Sequence, residues 1–378
     1  MPTRWLIALL LLFTLSPLRA QYERMGGVYY AYPVTHTILD KAPEGYKPFY
    51  ISHYGRHGSR WLTSDERYLW VIRHFEEPKN LTPLGKNVRK RLAKIWKNAK
   101  GNGGRLTPLG GRQHREIARR MYRNFPQVFT SESRVTACSS IADRCRTSML
   151  NFLDELQKVA GLPPIEPITR EEDMAWIAYT SPEQEALENR TNVPLRISPN
   201  RFVQALFIDP SKVENPEKLL KEMHYIASDM QDVELKVSLY DIFTPEEFQA
   251  IYEWNNERMT IANGNNPQNE GIPARSAVSL WQRIEADADA AIARGGVGAD
   301  LRFGHDTSLY RLLTLMQVDT SHMPMDELLP MAANLQLIFY RNAQGHVLLQ
   351  LLHNEHSLGF RSWNELKQQV RQHILRLL

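Results

Sequence analysis

Cysteine is nearly absent from this sequence, since only Cys138 and Cys145 occur among its 378 residues. A disulfide framework requires more cysteines than these two, and two cysteines with no partner pair argue against a structural zinc site, so neither is expected to hold the fold together. The sequence leaves open a single bridge between Cys138 and Cys145 across a short loop.

Long apolar runs are also absent after the first residues, and no later stretch of 18 apolar residues could form a membrane-spanning helix. The one apolar run, residues 5–15, follows Arg4 and precedes Leu18-Arg19-Ala20. This layout is typical of a secretory signal peptide, and a buried N-terminal helix is the alternative. We therefore predict an exported protein, periplasmic or secreted after cleavage near Ala20, without a stable membrane anchor.

Acidic residues are scarce in one stretch, although the net charge of the whole chain is only +4. Between Lys86 and Arg123 the sequence has thirteen lysines or arginines and one acid, Glu116. A solvated helical face explains most such runs, and a field that attracts a polyanion is the functional alternative. Nucleic acid is not an expected partner, because no aromatic-rich binding motif accompanies the charge.

The order of predicted elements indicates an α/β fold. Residues 47–52, 133–140 and 299–304 are predicted strands, each leading through a polar cluster to a helix. Two of the predicted helices begin with the same sequence, Leu-Thr-Pro-Leu-Gly at 81–85 and 106–110, in which threonine caps the helix and proline occupies its first turn.

Residues 165–295 do not continue this alternation and are predicted to be mostly helical. One of their helices begins with Thr244 and Glu247 at the spacing of a capping box. We predict a central, mostly parallel sheet flanked by helices and formed by 21–164 and 296–378. The range 165–295 is then an inserted, mainly helical cap.

Polar residues follow the three predicted strands of this core. In an open α/β sheet, ligands bind beyond the carboxyl ends of the strands, so these residues are candidates for a common site. They are Arg56, His57 and Arg60 after the first strand, Asp143 and Arg144 after the second, and His305 and Asp306 after the third.

Phosphate is the ligand that suits this set. Arginine forks match its oxygens, and helix N-termini after Arg144 and Asp306 would add backbone donors. Neighbouring positive charge would keep His57 neutral and therefore nucleophilic toward phosphorus. Asp306, placed beside the phosphate charge, is a suitable general acid for the leaving group. The residues therefore predict phosphoryl transfer without a metal or other cofactor.

Two further histidines receive weaker assignments. His53 lies four residues before His57, as metal ligands on a helix do, but Gly55 and Gly58 argue against a helix there. We expect His53 to be structural, or to support the site from behind. His114 either borders the site or lies on a helix surface.

The motifs resemble those of a known family. Arg56-His57-Gly58 with Arg60, and later Gly304-His305-Asp306-Thr307, resemble the two signatures of the histidine acid phosphatases, branch two of the histidine phosphatase superfamily. The segments LTPLGGRQHREIARRM and SSIADRCRTSM are similar to two further regions of that family. The resemblance covers most of residues 48–160 and 300–356.

The resemblance implies a phosphomonoesterase with an α/β core and a helical cap. His57 would form a phosphohistidine, Asp306 would protonate the leaving group, and phosphate would be held by Arg56, Arg60, Arg144 and His305. The sequence SHYGRHGSR, residues 52–60, is most similar to the corresponding segment of bacterial multiple inositol polyphosphate phosphatases. This similarity implies inositol polyphosphates such as phytate, or a broad range of phosphomonoesters, as substrates.

Two positions depart from the family, and two other functions stay open. Trp61 occupies a position at which many members have a residue that leads into a proline. The His305-Asp306 pair differs from the His-Ala-Glu sequence of the animal inositol polyphosphate enzymes. A phosphosugar mutase-like member of the superfamily is one alternative, although export disfavours it. A non-catalytic protein that binds phosphorylated ligands is the other, although it would need neither His57 nor Asp306.

Overall fold

The computed structural model of the chain describes residues 19–33 and 39–377. The predicted signal peptide therefore lies outside the described residues, except for Arg19 and Ala20, which are helical. Within the described ranges, no helix is both long enough and apolar enough to cross a bilayer.

Within the described residues the protein is built on a mixed sheet of seven strands. They are β1 (Lys47–Arg56), β2 (Arg134–Ser139), β3 (Pro167–Thr169), β4 (Gly298–Gly304), β5 (Asn334–Arg341), β6 (Val347–His353) and β7 (His356–Ser362). Their order in the sheet is β3-β2-β4-β1-β5-β6-β7. The strands from β3 to β1 run parallel, and β5, β6 and β7 continue from β1 as antiparallel neighbours. The predicted α/β sheet is thus confirmed, and its parallel half consists of β3 and the three strands that precede the candidate residues.

Helices cover both faces of the sheet and form the rest of the molecule. Their bounds are α1 (19–24), α2 (Asp65–Arg73), α3 (Pro83–Ala99), α4 (Pro108–Asn124), α5 (Asp143–Ala160), α6 (Met174–Ile177), α7 (Pro182–Arg190), α8 (Asn200–Leu206), α9 (Pro216–Asp229), α10 (Pro245–Asn263), α11 (Ile272–Ser276), α12 (Val278–Arg294), α13 (Asp306–Leu315), α14 (Met325–Leu328) and α15 (Trp363–Leu377).

The repeated Leu-Thr-Pro-Leu-Gly sequence starts two helices, as predicted. The Thr82 hydroxyl accepts a hydrogen bond from the Gly85 amide at the start of α3, and Thr107 does the same for Gly110 at the start of α4. In each case proline occupies the first turn, where its missing N–H costs no helical hydrogen bond. Local capping chemistry therefore explains the repeat.

Two apolar clusters pack on opposite faces of the sheet, because successive strand residues point to opposite sides. Leu337 and Phe339 of β5 belong to the cluster that also contains Trp281, Leu313 and Trp363. Ile338 of the same strand belongs to the other cluster, with Phe152 and Phe303.

A third cluster holds the cap together, and it does not follow the boundaries expected from the sequence. Leu92 and Ile95 of α3 pack in it with Phe202 of α8 and Leu219 of α9, so residues near 65–99 join the cap side. Conversely, β3 completes the sheet, and α12 packs against the sheet through Trp281. The predicted insertion at 165–295 thus contains elements of the core at both ends. The sequence shows that these elements have apolar faces, but it does not show which distant segments those faces pack against.

The capping box predicted for Thr244 and Glu247 is present at the start of α10. The Glu247 amide donates to the Thr244 hydroxyl at 3.2 Å, and the Thr244 amide donates to the Glu247 carboxylate at 3.0 Å.

We expect Thr244→Ala to lower the free energy of unfolding by about 1 kcal/mol, because one buried helix-end amide loses its acceptor. Thr244→Ser, which keeps the hydroxyl, is the matched control and should remain close to the wild type. Denaturant unfolding followed by circular dichroism measures both, and an alanine variant as stable as the serine variant would contradict the role of the cap.

Candidate active site

The two signature segments meet at the carboxyl edge of the parallel strands. Arg56, the last residue of β1, lies opposite Gly304, the last residue of β4. The His57 amide then donates to the Gly304 carbonyl at 3.0 Å. The end of β2 joins the same edge, since the Ser140 amide donates to the Phe303 carbonyl at 2.9 Å. The structure therefore brings the loops after all three strands together.

The loop after β1 is packed tightly against the start of α4, which explains one glycine of the first signature. A side chain at Gly58 would bring its Cβ within 2.6 Å of the Gly110 carbonyl oxygen, so only glycine fits without a shift of backbone. The Gly58 amide also donates to the Ser148 hydroxyl of α5 at 3.1 Å. The loop is thus held between two helices.

Ser59 is the most heavily bonded residue of this loop. Its amide donates to the Gln113 side-chain oxygen at 2.8 Å, and the Gln113 amide group donates back to the Ser59 hydroxyl at 2.8 Å. Its carbonyl accepts from Thr107, and its hydroxyl donates to Asp232 of the cap at 2.5 Å. The segment LTPLGGRQ therefore acts as a clamp on the loop that carries His57.

The surroundings of His57 favour a neutral ring with a free lone pair. Its Nδ1 lies 3.0 Å from the Gly58 carbonyl oxygen, so the proton resides on Nδ1 and the lone pair on Nε2. The residue is buried, and burial together with the charges of Arg56, Arg60 and Arg144 holds its pKa well below the usual value. The neutral form of the ring is therefore favoured.

Three guanidinium groups surround this ring with donors that are not fully used. Nη1 of Arg56 donates to the Val28 and Leu329 carbonyls, and Nη2 faces the carboxylate of Asp306, whereas Nε has no partner. The Nε atoms of Arg60 and Arg144 are also buried without a partner. Buried donors without acceptors are costly, so this set is suited to the oxygens of a bound anion.

His305 and Asp306 lie at the end of β4 and the start of α13. The His305 ring is 5.9 Å from the His57 ring between centroids, and Arg144 Nη2 lies 3.4 Å from its Nδ1. Burial, with the charge of Arg144, lowers the pKa of His305 to about 4. All six residues assigned from the sequence therefore lie around one position at the sheet edge.

The carboxylate of Asp306 is paired with Arg56. Its Oδ2 lies 2.8 Å from Nη2 of Arg56, and its Oδ1 accepts from the Thr307 amide at 2.9 Å. Burial alone would raise the pKa of Asp306, but the charges of Arg56 and Arg60 outweigh it and hold the pKa below the ordinary range. Without an anion the group is ionised.

A cleft between the core and the cap opens at this position. Its volume is about 590 Å³, within the range of small-molecule sites. Arg60, Asp306 and Thr307 line its floor. The cap contributes the charged and aromatic residues Arg67, Lys218, Lys221, Glu222, Trp254 and Arg258.

Sequence reasoning missed these cap residues. Lys218 and Lys221 lie three apart on α9, which places them on one helical face, but nothing local shows that this face meets the site. Lys221 is paired with Glu217 and lies 3.7 Å from the Trp254 ring centre, and Lys218 lies 4.1 Å from that of Trp70. The aromatic rings thus position two ammonium groups at the cleft.

Other sequence candidates do not line the cleft. His53 is buried against Phe152 and Phe303, and burial lowers its pKa to about 3. His114 packs against Phe303 in the same region, so it is a core residue rather than a helix-surface one. Cys138 and Cys145 are both free.

The basic stretch forms the exposed faces of α3 and α4 rather than the wall of the cleft. Lys86, Lys90 and Lys94 of α3 are exposed and do not line it. The ordinary explanation, a solvated helical face, therefore accounts for their position.

Comparisons with known proteins give similarity in structure only. No family model matches the chain, and no curated protein is significantly similar to it in sequence. Among solved structures, the multiple inositol polyphosphate phosphatase of Bifidobacterium longum in complex with inositol hexasulfate has a TM-score of 0.71 at 16% identity. The match covers 90% of this chain and 93% of that one.

Phytases have the same architecture. The phytase from D. castellii has a TM-score of 0.67 at 13% identity over 93% of this chain and 85% of its own. The phytase of Klebsiella sp. ASR1 has a TM-score of 0.53 at 14% identity, with 86% of each chain covered. The chain therefore has the fold of the multiple inositol polyphosphate phosphatases and phytases, as its histidine acid phosphatase signatures predicted.

Proposed function

We propose that the protein is a phosphomonoester hydrolase that acts through a phosphohistidine on His57. The observation that carries this proposal is the neutral His57 ring among three arginines, each with a buried Nε donor that has no partner, next to the carboxylate of Asp306. A phosphate group is the anion that would satisfy these donors and present phosphorus to the ring.

In the first step Nε2 of His57 attacks phosphorus, and the bond between phosphorus and the ester oxygen breaks. Asp306, protonated in the complex, transfers its proton to the departing alkoxide. The arginines hold the charge of the phosphoryl oxygens throughout, so the site stabilises the transition state by fixed donors rather than by rearrangement.

In the second step a water molecule attacks the phosphohistidine, and the bond between phosphorus and nitrogen breaks. Asp306, now a carboxylate, accepts the water proton, and inorganic phosphate leaves. The same residue thus serves as acid and then as base, and His57 returns to its neutral form.

The substrate itself would supply the protonation state that Asp306 needs. In the empty site Arg56 and Arg60 keep this carboxyl group ionised. A bound phosphate offsets their charges and adds negative charge beside the carboxylate, so the pKa of Asp306 would rise in the complex.

The preferred substrates would carry several phosphate groups. The cleft extends beyond the position of one phosphate and is lined by Arg67, Lys218, Lys221 and Arg258 of the cap. The similar protein of Bifidobacterium longum binds inositol hexasulfate, a ring with several anionic groups. Inositol polyphosphates such as phytate therefore fit best, together with a wider range of phosphomonoesters.

We also propose that the protein acts after export, in the periplasm or outside the cell. The support is the charged start, the apolar run and the cleavage site near Ala20, all of them sequence features.

His57→Ala should reduce hydrolysis of p-nitrophenyl phosphate by at least about 10³-fold, because the attacking atom is lost. The wild type should take up an acid-labile label from radioactive substrate in the presence of EDTA, and the variant should not. His322→Ala, at an exposed position, is the control. Loss of wild-type activity on chelation would overturn the metal-free mechanism.

Asp306→Asn should slow the hydrolysis of alkyl phosphates by about 10²-fold or more, and that of p-nitrophenyl phosphate far less. The reason is that p-nitrophenolate is a stable anion and leaves without being protonated, whereas an alkoxide must receive a proton as it leaves. Steady-state kcat/KM on both substrates measures the ratio, because it reports the phosphorylation step and not the later attack of water. The exposed Asp154→Asn is the control. Equal slowing of the two substrates would remove Asp306 from the acid role.

Lys218→Ala should raise KM for phytate by about tenfold, the equivalent of one lost charged contact of about 1.4 kcal/mol. KM for p-nitrophenyl phosphate should stay unchanged, because that substrate does not reach the cap. Lys86→Ala removes an exposed lysine outside the cleft and is the matched control. Equal changes for the two substrates would contradict the proposed role of the cap.

A further inference from the structure

Two buried carboxyl groups lie behind the phosphate-binding loop, and the proposed mechanism does not use them. Asp229 ends α9, and Asp232 lies in the following turn. Both residues are fully buried. They belong to the cap, yet one of them is bonded directly to the loop of the core that carries His57.

The hydrogen bonds of the pair are incomplete. Oδ1 of Asp232 accepts from the Ser59 hydroxyl at 2.5 Å, and Oδ2 of Asp229 accepts from the Tyr68 hydroxyl at 2.7 Å. The remaining oxygen of each carboxyl group is buried without a partner. Two adjacent carboxylates with free buried oxygens are unfavourable unless the pair carries a proton.

Charges from the core and the cap act on the pair. Arg60 and Arg56 lie on the side of the phosphate loop, and Arg67 lies on α2. The tyrosines facing it are Tyr29, Tyr68 and Tyr240. Burial raises the pKa of both carboxyl groups, and the charge of Asp229 raises that of Asp232 further, against the opposing effect of the arginines.

We propose that Asp232, together with Asp229, is a positioning residue that holds the phosphate-binding loop through Ser59 and sets the charge behind Arg56 and Arg60. The protonated pair leaves the arginines free for the anion. When the pair loses its proton, a buried negative charge competes for these guanidiniums and repels phosphate. The inference rests on the proposed function, since it assigns a role in anion binding at the same site.

The consequence is a pH dependence that does not come from the catalytic groups. Burial and positive neighbours lower the pKa of His57, and lower that of His305 to about 4, so both rings favour the neutral form. Burial raises the pKa of Asp306, but the charges of Arg56 and Arg60 outweigh it, so this carboxyl group favours the ionised form. A raised pKa means that the Asp229–Asp232 pair releases its proton as pH increases, so anion affinity should fall in that direction.

Sulfate is the suitable probe, because it does not titrate in this range and its binding requires no turnover. Calorimetry between about pH 5 and pH 9 should show wild-type affinity weakening by about tenfold, as expected for one added charge near the site. The double variant Asp229→Asn/Asp232→Asn keeps the oxygen that accepts from Ser59 and has no proton to lose at either position, so its affinity should stay nearly constant with pH. The exposed Asp154→Asn should follow the wild type.

A second variant separates the hydrogen bond from the charge. Ser59→Ala should weaken sulfate binding at every pH and keep the wild-type slope, because the carboxyl pair remains. Thermal unfolding of each variant at both pH limits shows whether it is folded.

Two results would overturn the proposal. One is a pH slope of the double variant Asp229→Asn/Asp232→Asn equal to that of the wild type. The other is the absence of any slope in the wild type when sulfate binds. Absence of sulfate binding at every pH would overturn the phosphate site as well. Sulfate binding with the expected pH slope, but without hydrolysis of any phosphomonoester, would contradict the proposed function alone.

Discussion

The register of β1 against β4 is the constraint on which the rest of the site depends. Because Arg56 lies opposite Gly304, the residues that follow the two strands leave the sheet side by side. A shift of one residue would turn Arg56 to the other face of the sheet. The packing of Gly58 against Gly110, the clamp on Ser59 and the pairing of Arg56 with Asp306 all presuppose this register.

The concentration of positive charge at this edge is offset by neighbouring polar groups rather than by solvent. Arg56 uses one nitrogen on two carbonyl oxygens and faces the carboxylate of Asp306 with another. Arg60 lies over the ring of Tyr29, 5.0 Å from its centre. These contacts hold the guanidiniums in place but leave several donors unused, so the empty site is costly and ready to bind an anion.

Much of the core was predictable from the sequence, because its signals are local. Capping threonines mark where α3 and α4 begin. Gly161 marks where α5 ends, because its φ of 63° lies in the left-handed region that favours glycine. The residues around the site follow from strand ends and from the family signatures. The sequence also predicts β5 and β6, as two apolar runs joined by residues 342–345, but it does not predict β3 or β7. β3 has only three residues, and the side chains of β7 are only half-buried and show no clear alternation.

The cap was predictable as helical but not in its extent or its contribution to the cleft. An apolar face shows that a helix is buried, yet it does not identify the surface that covers it. For this reason α3 was assigned to the core, although Leu92 and Ile95 pack with cap residues. Lys218 and Asp232 gave no local sign of their proximity to the site. The pairing of β1 with β4 and β5 also joins segments about 250 and 285 residues apart, and contacts of such separation form late in folding. The sheet edge that carries Arg56 and His57 is therefore assembled only after the C-terminal third of the chain is available, so in a partly synthesised chain these residues would lack His305 and Asp306 as neighbours.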